Sequence, residues 1–328
     1  MGNVDRLGAG VGIFLYGMHL ISGYLEELTG TAVEKELRRL TGNPWSGALT
    51  GTVITTLLQS STVVTVMAVN LVDRGMMTLS QAAGVILGAN VGTASTGVLA
   101  ALPIRSLAPL FLIGGAVSVL TAGILEKMQS RMPKEQERIR PLPARIKLAG
   151  ALSMGLGMLF LGMELMQDAM APCRSMQGLT QLLAGLNHPV GGVLGGAVFT
   201  ALIQSSSASV AILQSMAAEG MVGLQQSAYI VYGQNIGTCV TALWASIRLS
   251  PAARSCARLH LLINLLGTVF FLAADRAVPL TEWVGSWTPE NPAMQIANLH
   301  LVFNLSSTLL LLPFTKGLVK LAERRSAR

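Results

Sequence analysis

Two short polar clusters interrupt apolar stretches of this sequence and could bind ions or oxyanions. They read QSST at 59–62 and QSSS at 204–207, inside the segments 45–72 and 190–218, which contain no charged residue. Hydroxyl groups donate and accept hydrogen bonds, and a glutamine amide offers one acceptor and two donors. A helix that begins at such a cluster adds free N–H groups and its positive dipole end. The clusters could therefore hold an anion, while glutamine and carbonyl oxygens could hold a hard cation.

Two further motifs, GANVGT at 88–93 and GQNIGT at 233–238, each follow one cluster by about 30 residues. Glycines four residues apart permit close helix packing. Asn90 and Asn235 would be costly in the middle of a span without hydrogen-bond partners. We expect the asparagine and threonine of each motif to complete a cation site beside a hairpin, and the alternative is hydrogen bonding between helices.

The pairs His260–Asn264 and His300–Asn304 each place a histidine and an asparagine on one helix face. We expect them to join two late helices by hydrogen bonds, with a proton or ion role as the alternative.

The composition indicates a helical membrane protein that crosses the bilayer several times. Of the 328 residues 51% are hydrophobic and only 12% are charged, which is too few charges to cover a soluble domain. There is no P-loop, and the three cysteines form no disulfide framework or metal-binding spacing. The basic residues that give the net charge of +7 flank the apolar segments, so no nucleic-acid partner is predicted.

Seven apolar segments are long enough to cross a bilayer core, which needs about 20 residues of helix. The predicted full spans are 7–27, 79–102, 107–125, 147–166, 224–247, 256–274 and 297–315. The segments 45–72 and 190–218 differ because a polar cluster leaves two short arms in each. They predict re-entrant or broken helical hairpins, which survive at membrane depth only where protein or water satisfies the backbone.

The sequence repeats itself at an offset of 145 residues without a gap. Between Gln59 and Thr96, 13 of 38 positions are identical to their partners in the second copy. The excess of Lys and Arg on one set of loops, 19 of 23, predicts a cytoplasmic C-terminus and an external N-terminus. In this orientation the two copies cross the membrane in opposite directions, as do the inverted repeats of secondary transporters.

The predicted fold class is therefore an all-α polytopic membrane protein with two inverted-topology repeats, seven spans and two hairpins. The predicted organisation is repeat 1 at 1–125, a basic cytoplasmic linker at 126–146, repeat 2 at 147–274, and an external loop, last helix and basic tail at 275–328.

The paired clusters and GxNxGT motifs resemble the type II sodium–phosphate cotransporter family in its bacterial form, over roughly residues 8–313. The first cluster departs by ending in Thr62, which keeps a hydroxyl. The chain ends at Arg328 without the regulator-like helical domain of some bacterial relatives, so regulation through such a domain is not expected. The resemblance implies phosphate binding by Ser60, Ser61, Thr62, Ser205, Ser206 and Ser207. It implies sodium binding by Gln59, Gln204, Asn90, Thr93, Asn235 and Thr238.

These features predict a non-enzymatic secondary transporter that couples sodium to inorganic phosphate by alternating access in a bacterial cytoplasmic (inner) membrane. Moving a dianion into a negative interior costs roughly 4.6 kcal/mol per 100 mV, so inward transport needs accompanying cations. Sodium is the expected coupling ion, with no other cofactor and no transition metal, and the oligomeric state stays open. The alternatives are a phosphate exporter, another sodium-coupled anion transporter, and an intramembrane lipid-phosphate phosphatase.

Overall fold

The computed structural model describes residues 2–29, 32–129 and 141–324, and these residues form helices and connecting loops with no strand. The fold class is thus confirmed as all-α. The predicted linker at 126–146 lies mainly outside the described residues. The helices are α1 Asn3–Thr29, α2 Ala32–Leu40, α3 Pro44–Leu58, α4 Ser61–Asp73, α5 Leu79–Ala100, α6 Ala108–Gln129, α7 Pro141–Met170, α8 Gln177–Gly185, α9 Pro189–Ile203, α10 Ser206–Ala218, α11 Leu224–Gly237, α12 Cys239–Ser246, α13 Pro251–Ala277, α14 Leu280–Gly285, α15 Pro292–Leu311 and α16 Thr315–Arg324.

Both predicted hairpins are present, and each breaks at its polar cluster. The first consists of α3 and α4 and the second of α9 and α10, with arms of 15 and 13 residues in each case. Proline at the first position of α3 and α9 starts both outer arms, because its fixed φ suits a helix and its missing N–H is not needed there. The arms are too short to cross a bilayer separately.

The repeat seen in the sequence is also a repeat of helices. Adding 145 to the bounds of α2, α3 and α4 gives the bounds of α8, α9 and α10. Both hairpins end alike, at Gly75 and Gly220, each with φ of 67°. An ion pair also lies at this end of each hairpin. It joins Glu34 to Arg74 at 3.4 Å in the first hairpin and Arg174 to Glu219 at 2.9 Å in the second.

Six described helices are long and apolar enough to cross a membrane. The predicted seventh span, 224–247, is wrong as a continuous helix, because Thr238 separates α11 from α12. The Asn235 carbonyl accepts the Thr238 hydroxyl at 2.7 Å and the Asn264 side-chain amide at 2.7 Å. Side chains that enter the backbone hydrogen-bond ladder in this way kink or break helices.

The chain divides into two compact units, and the smaller contains residues 1–29 and 102–169. In it, α1 packs against its repeat partner α7 through glycines in reciprocal positions. A β-carbon on Gly17 would lie 2.6 Å from the Gly155 carbonyl oxygen, and one on Gly162 would lie 2.7 Å from the Gly10 carbonyl oxygen. Position 10 therefore meets 162 while position 17 meets 155, so α1 and α7 run antiparallel. This is the packing that an inverted repeat requires.

The larger unit contains residues 30–101 and 170–328, and thus both hairpins and both GxNxGT motifs. Each compact unit draws helices from both sequence repeats. The predicted division at residues 125 and 147 therefore describes the repeat in sequence and stays a prediction as a division into domains.

Candidate substrate- and ion-binding site

The tip of each hairpin has the same backbone geometry. Gln59 and Gln204 end α3 and α9 in the left-handed region, with φ of 53° and 56°. Ser60 and Ser205 then cap α4 and α10, their hydroxyls accepting the N–H groups of Val63 at 3.4 Å and Ala208 at 3.2 Å. The sequence QSS thus stops one helix and starts the next, because a serine oxygen satisfies a free first-turn N–H. The N–H groups of the first two residues of each inner arm, 61 and 62 in α4 and 206 and 207 in α10, have no acceptor within their helix.

The two glutamine side chains differ in their surroundings. The Gln59 amide oxygen accepts the Thr96 hydroxyl at 2.9 Å, and its nitrogen lies 3.4 Å from the Ser95 hydroxyl, so α5 holds this side chain. The Gln204 side chain is exposed and has no hydrogen bond to any described residue. One glutamine is therefore fixed by the protein, and the other is available to a ligand.

The glycines of both GxNxGT motifs lie against the outer arm of their own hairpin. A β-carbon on Gly88 would lie 1.9 Å from the Ala48 carbonyl oxygen, and one on Gly233 would lie 2.0 Å from that of Val193. The predicted close backbone approach is confirmed in both repeats.

Replacing Gly88 by alanine should therefore destabilise the protein, because a backbone carbonyl occupies the position of the new methyl group. We expect a loss of about 1–3 kcal/mol, measured as a lower unfolding temperature in detergent. Gly114→Ala on α6 is the matched control, because a β-carbon there meets nothing within 4 Å. Equal melting temperatures for the two variants would contradict the observed packing.

The two motif asparagines are joined by a third, Asn264 of α13. The Asn90 amide donates to the Asn264 side-chain oxygen at 2.7 Å, and the Asn264 amide donates to the Asn235 carbonyl at 2.7 Å. His300 Nε2 lies 3.4 Å from Asn235 Oδ1. The late helices thus bind the motif helices α5 and α11, which differs from the expected bonding of the two late helices to each other. Asn304 bonds only its own helix, through the His300 carbonyl at 3.0 Å.

The two motif threonines both donate their hydroxyl protons to a backbone carbonyl. Thr93 donates to Ala89 at 2.9 Å and Thr238 donates to Asn235 at 2.7 Å. Each hydroxyl oxygen consequently presents only lone pairs to its surroundings, which is the form that a hard cation or a hydrogen-bond donor would meet.

The first hairpin tip is brought against the second GxNxGT motif. Ser61 and Thr62 line a small cavity with Thr238, although 176 or more residues separate them in the sequence. The inner arm α4 packs on α12, and α10 packs on α5, so each inner arm contacts a helix of the other repeat. The second cluster, at 205–207, does not line this cavity, and its three serines are half-buried. The assigned binding roles of both clusters stay predictions.

Several polar residues near the hairpins were missed by sequence reasoning. Gln234 donates to the Ser209 hydroxyl at 2.9 Å and carbonyl at 3.0 Å, and Gln214 donates to the carbonyls of Gly97 at 2.8 Å and Ala293 at 3.1 Å. Gln234 lies inside GQNIGT, so its position in the motif was a usable signal. Gln214 and Ser209 lie in α10, the inner arm of the predicted second hairpin, where no motif marked them. Within the described ranges no three His, Cys, Asp or Glu side chains are grouped to hold a metal ion.

Fold and site together define a multi-pass helical membrane protein with two inverted copies of a hairpin and a GxNxGT helix. The family model described as Na+/Pi-cotransporter matches residues 13–168 and 170–285. The chain belongs to this family, which is a family of phosphate transporters and not an enzyme class.

Curated relatives agree with this assignment. The uncharacterized protein YqeW of Bacillus subtilis is 31% identical over 303 residues, which cover 92% of this chain and 91% of YqeW. The putative inorganic phosphate export protein YjbB of Escherichia coli is 25% identical over 97% of this chain, which spans only 55% of YjbB. The rat sodium-dependent phosphate transport protein 2A is 43% identical over 56 residues, which are 17% of this chain and 9% of that protein. No solved structure matches the chain significantly.

Proposed function

We propose that this protein couples sodium ions to the movement of inorganic phosphate across a bacterial inner membrane by alternating access. The observation that carries the proposal is that the first hairpin tip lies against a motif of the other repeat. The first two residues of α4, Ser61 and Thr62, line a small cavity together with Thr238 of the other repeat. Motion of one repeat against the other would therefore change both sides of the same site.

The chemistry of the tips fits a phosphate site. Helix N-termini and hydroxyl groups bind oxyanions without a fixed positive side chain, so the anion can leave again. Lone pairs of Thr93 and the free amide oxygen of Gln204 are suitable ligands for sodium, whose charge would offset that of phosphate. We place the C-terminus in the cytoplasm and the N-terminus outside, on the distribution of Lys and Arg.

The test is radiolabelled phosphate flux into proteoliposomes under an inward sodium gradient or an equal potassium gradient. We expect uptake above that of protein-free liposomes with sodium only, and competition by excess unlabelled phosphate. Phosphate movement that is equal in the two gradients would overturn sodium coupling. No phosphate movement by demonstrably folded protein would overturn the substrate.

Phosphate export is the second candidate, because the similar protein YjbB is named a putative inorganic phosphate export protein. The membrane potential favours outward movement of an anion. Efflux from phosphate-loaded liposomes with an imposed potential and no sodium separates the two candidates. Rapid potential-driven efflux favours the exporter, and efflux that requires sodium favours the symporter.

A further inference from the structure

A small cavity lies between α4, α12 and α13, close to the first hairpin tip. It has a volume of about 10 Å³ and is lined by Ser61, Thr62, Thr65, Thr238, Ala242 and His260. A volume of this size holds about one water-sized group, such as a single oxygen atom. Nothing in the sequence singled out Thr65, and for His260 a proton or ion role was only the alternative to hydrogen bonding between helices.

Two of the side chains that line the cavity have buried polar atoms without partners. The Thr65 hydroxyl and both ring nitrogens of His260 form no hydrogen bond to any described residue, while the two residues are only 2% and 4% exposed. Buried polar atoms without partners are costly and are rare in native proteins. Both residues line this cavity, which points to a guest that hydrogen-bonds the Thr65 hydroxyl and one of the two His260 ring nitrogens.

The chemistry of the lining distinguishes between possible guests. A neutral imidazole offers one donor and one acceptor, and the Thr238 oxygen offers only lone pairs because its proton is donated to Asn235. The N-terminus of α4 places its positive dipole end at the same point, which disfavours a cation. These groups are satisfied by an oxygen atom that both accepts and donates, and the dipole favours one that belongs to an anion.

The P–OH oxygen of a hydrogen phosphate ion is such an atom. We propose that this cavity receives the protonated oxygen of the transported phosphate and that His260 accepts its proton in a hydrogen bond. The inference rests on the proposed function and deepens it, because it makes His260 and Thr65 determinants of specificity. Sulfate has the same shape but no proton to donate, so the cavity would discriminate against it.

The cavity also has a neighbour large enough for the rest of the ion. Thr62 lines both the small cavity and a second one of about 460 Å³. The larger cavity follows α4 from Thr62 to Asn70 and Arg74, at the end predicted to be cytoplasmic. An oxyanion with one oxygen beside His260 would thus lie next to open space along the inner arm.

The test compares phosphate with fluorophosphate, a dianion of similar shape that lacks the proton, and with sulfate. Competition against radiolabelled phosphate uptake is measured at one alkaline pH in proteoliposomes. Wild type should prefer phosphate by about tenfold or more, as expected for one hydrogen bond to a charged group. His260→Leu should lower phosphate affinity about tenfold and leave that for fluorophosphate unchanged, and His260→Gln should keep part of the preference. His19→Leu is the matched control, since His19 is exposed on α1.

Thr65→Val provides a second variant that keeps the shape of the side chain. Because the Thr65 hydroxyl has no partner within residues 2–29, 32–129 and 141–324, the variant should be at least as stable as wild type. It should still reduce the preference for phosphate over fluorophosphate by several-fold.

Each alternative result overturns the inference in a recognisable way. Equal affinity of wild type for phosphate and fluorophosphate would exclude recognition of the proton. If His260→Leu changed only the sodium concentration that gives half-maximal uptake, His260 would belong to a cation-binding site instead. An unchanged preference in both His260→Leu and Thr65→Val would leave the proposed function standing and reject the inference alone. Absence of phosphate flux in folded wild type would reject both.

Discussion

Replacing Gln204 by glycine is expected to reduce sodium-driven phosphate flux at least about tenfold without lowering the stability of the protein. Its φ of 56° is one that glycine adopts freely, whereas other L-residues pay roughly 1–2 kcal/mol. The exposed side chain has no hydrogen bond to lose, so a reduced flux would report its contact with a ligand. Initial uptake rates and unfolding temperatures from one preparation measure both quantities.

Gln59→Gly provides the comparison within the same molecule. Its side chain bonds Thr96, so this variant should lose flux and also about 0.5–1.5 kcal/mol of stability, partly offset by relief of the left-handed backbone. Gln181→Ala, on the exposed surface of α8, is the control for a removed glutamine and should behave as wild type. Full flux in Gln204→Gly would show that this amide does not take part in transport.

Replacing Asn264 by leucine should give the largest loss of stability among these variants, roughly 2–4 kcal/mol. The change removes the acceptor of the Asn90 amide and the donor to the Asn235 carbonyl. Asn90 and Asn235 are only 7% and 5% exposed, so water cannot readily replace the lost partner. The unfolding temperature in detergent measures the effect, and Asn70→Leu on the exposed part of α4 is the matched control.

A double variant separates the hydrogen bond from other consequences of the substitution. Asn90→Leu combined with Asn264→Leu should be less destabilised than the sum of the single variants, because neither side chain then leaves the other unpaired. Additive losses would mean that the two amides contribute independently and that the 2.7 Å contact carries little energy.

The sequence predicted the hairpins well because their breaks depend on neighbouring residues. Gln59 and Ser60 end one helix and cap the next within two positions, and Gln204 and Ser205 do the same. The repeat was predictable for a similar reason, since an ungapped register carries the helix bounds with it. The left-handed conformation of both glutamines was not predicted, because glutamine has no intrinsic preference for it.

The continuous span predicted at 224–247 failed because its break involves a distant residue as well as the local Thr238 hydroxyl. Nothing within GQNIGT shows that the Asn264 amide will reach the Asn235 carbonyl from another helix. Apolar content alone does not show where a helix breaks, and this segment forms two helices, α11 and α12.

The amino-acid sequence by itself determined the membrane class, the two copies, the hairpins and the residue types that can meet an oxyanion, because these follow from composition, period and local capping. Only the tertiary structure decided which polar groups face one another. It placed Thr238 of one repeat and His260 beside Ser61 and Thr62 of the other. It also paired the Asn90 amide with the Asn264 side-chain oxygen in a hydrogen bond. It left the Thr65 hydroxyl and the His260 ring nitrogens without a partner among the described residues. Hydrogen bonds between helices depend on their packing, which no single segment encodes.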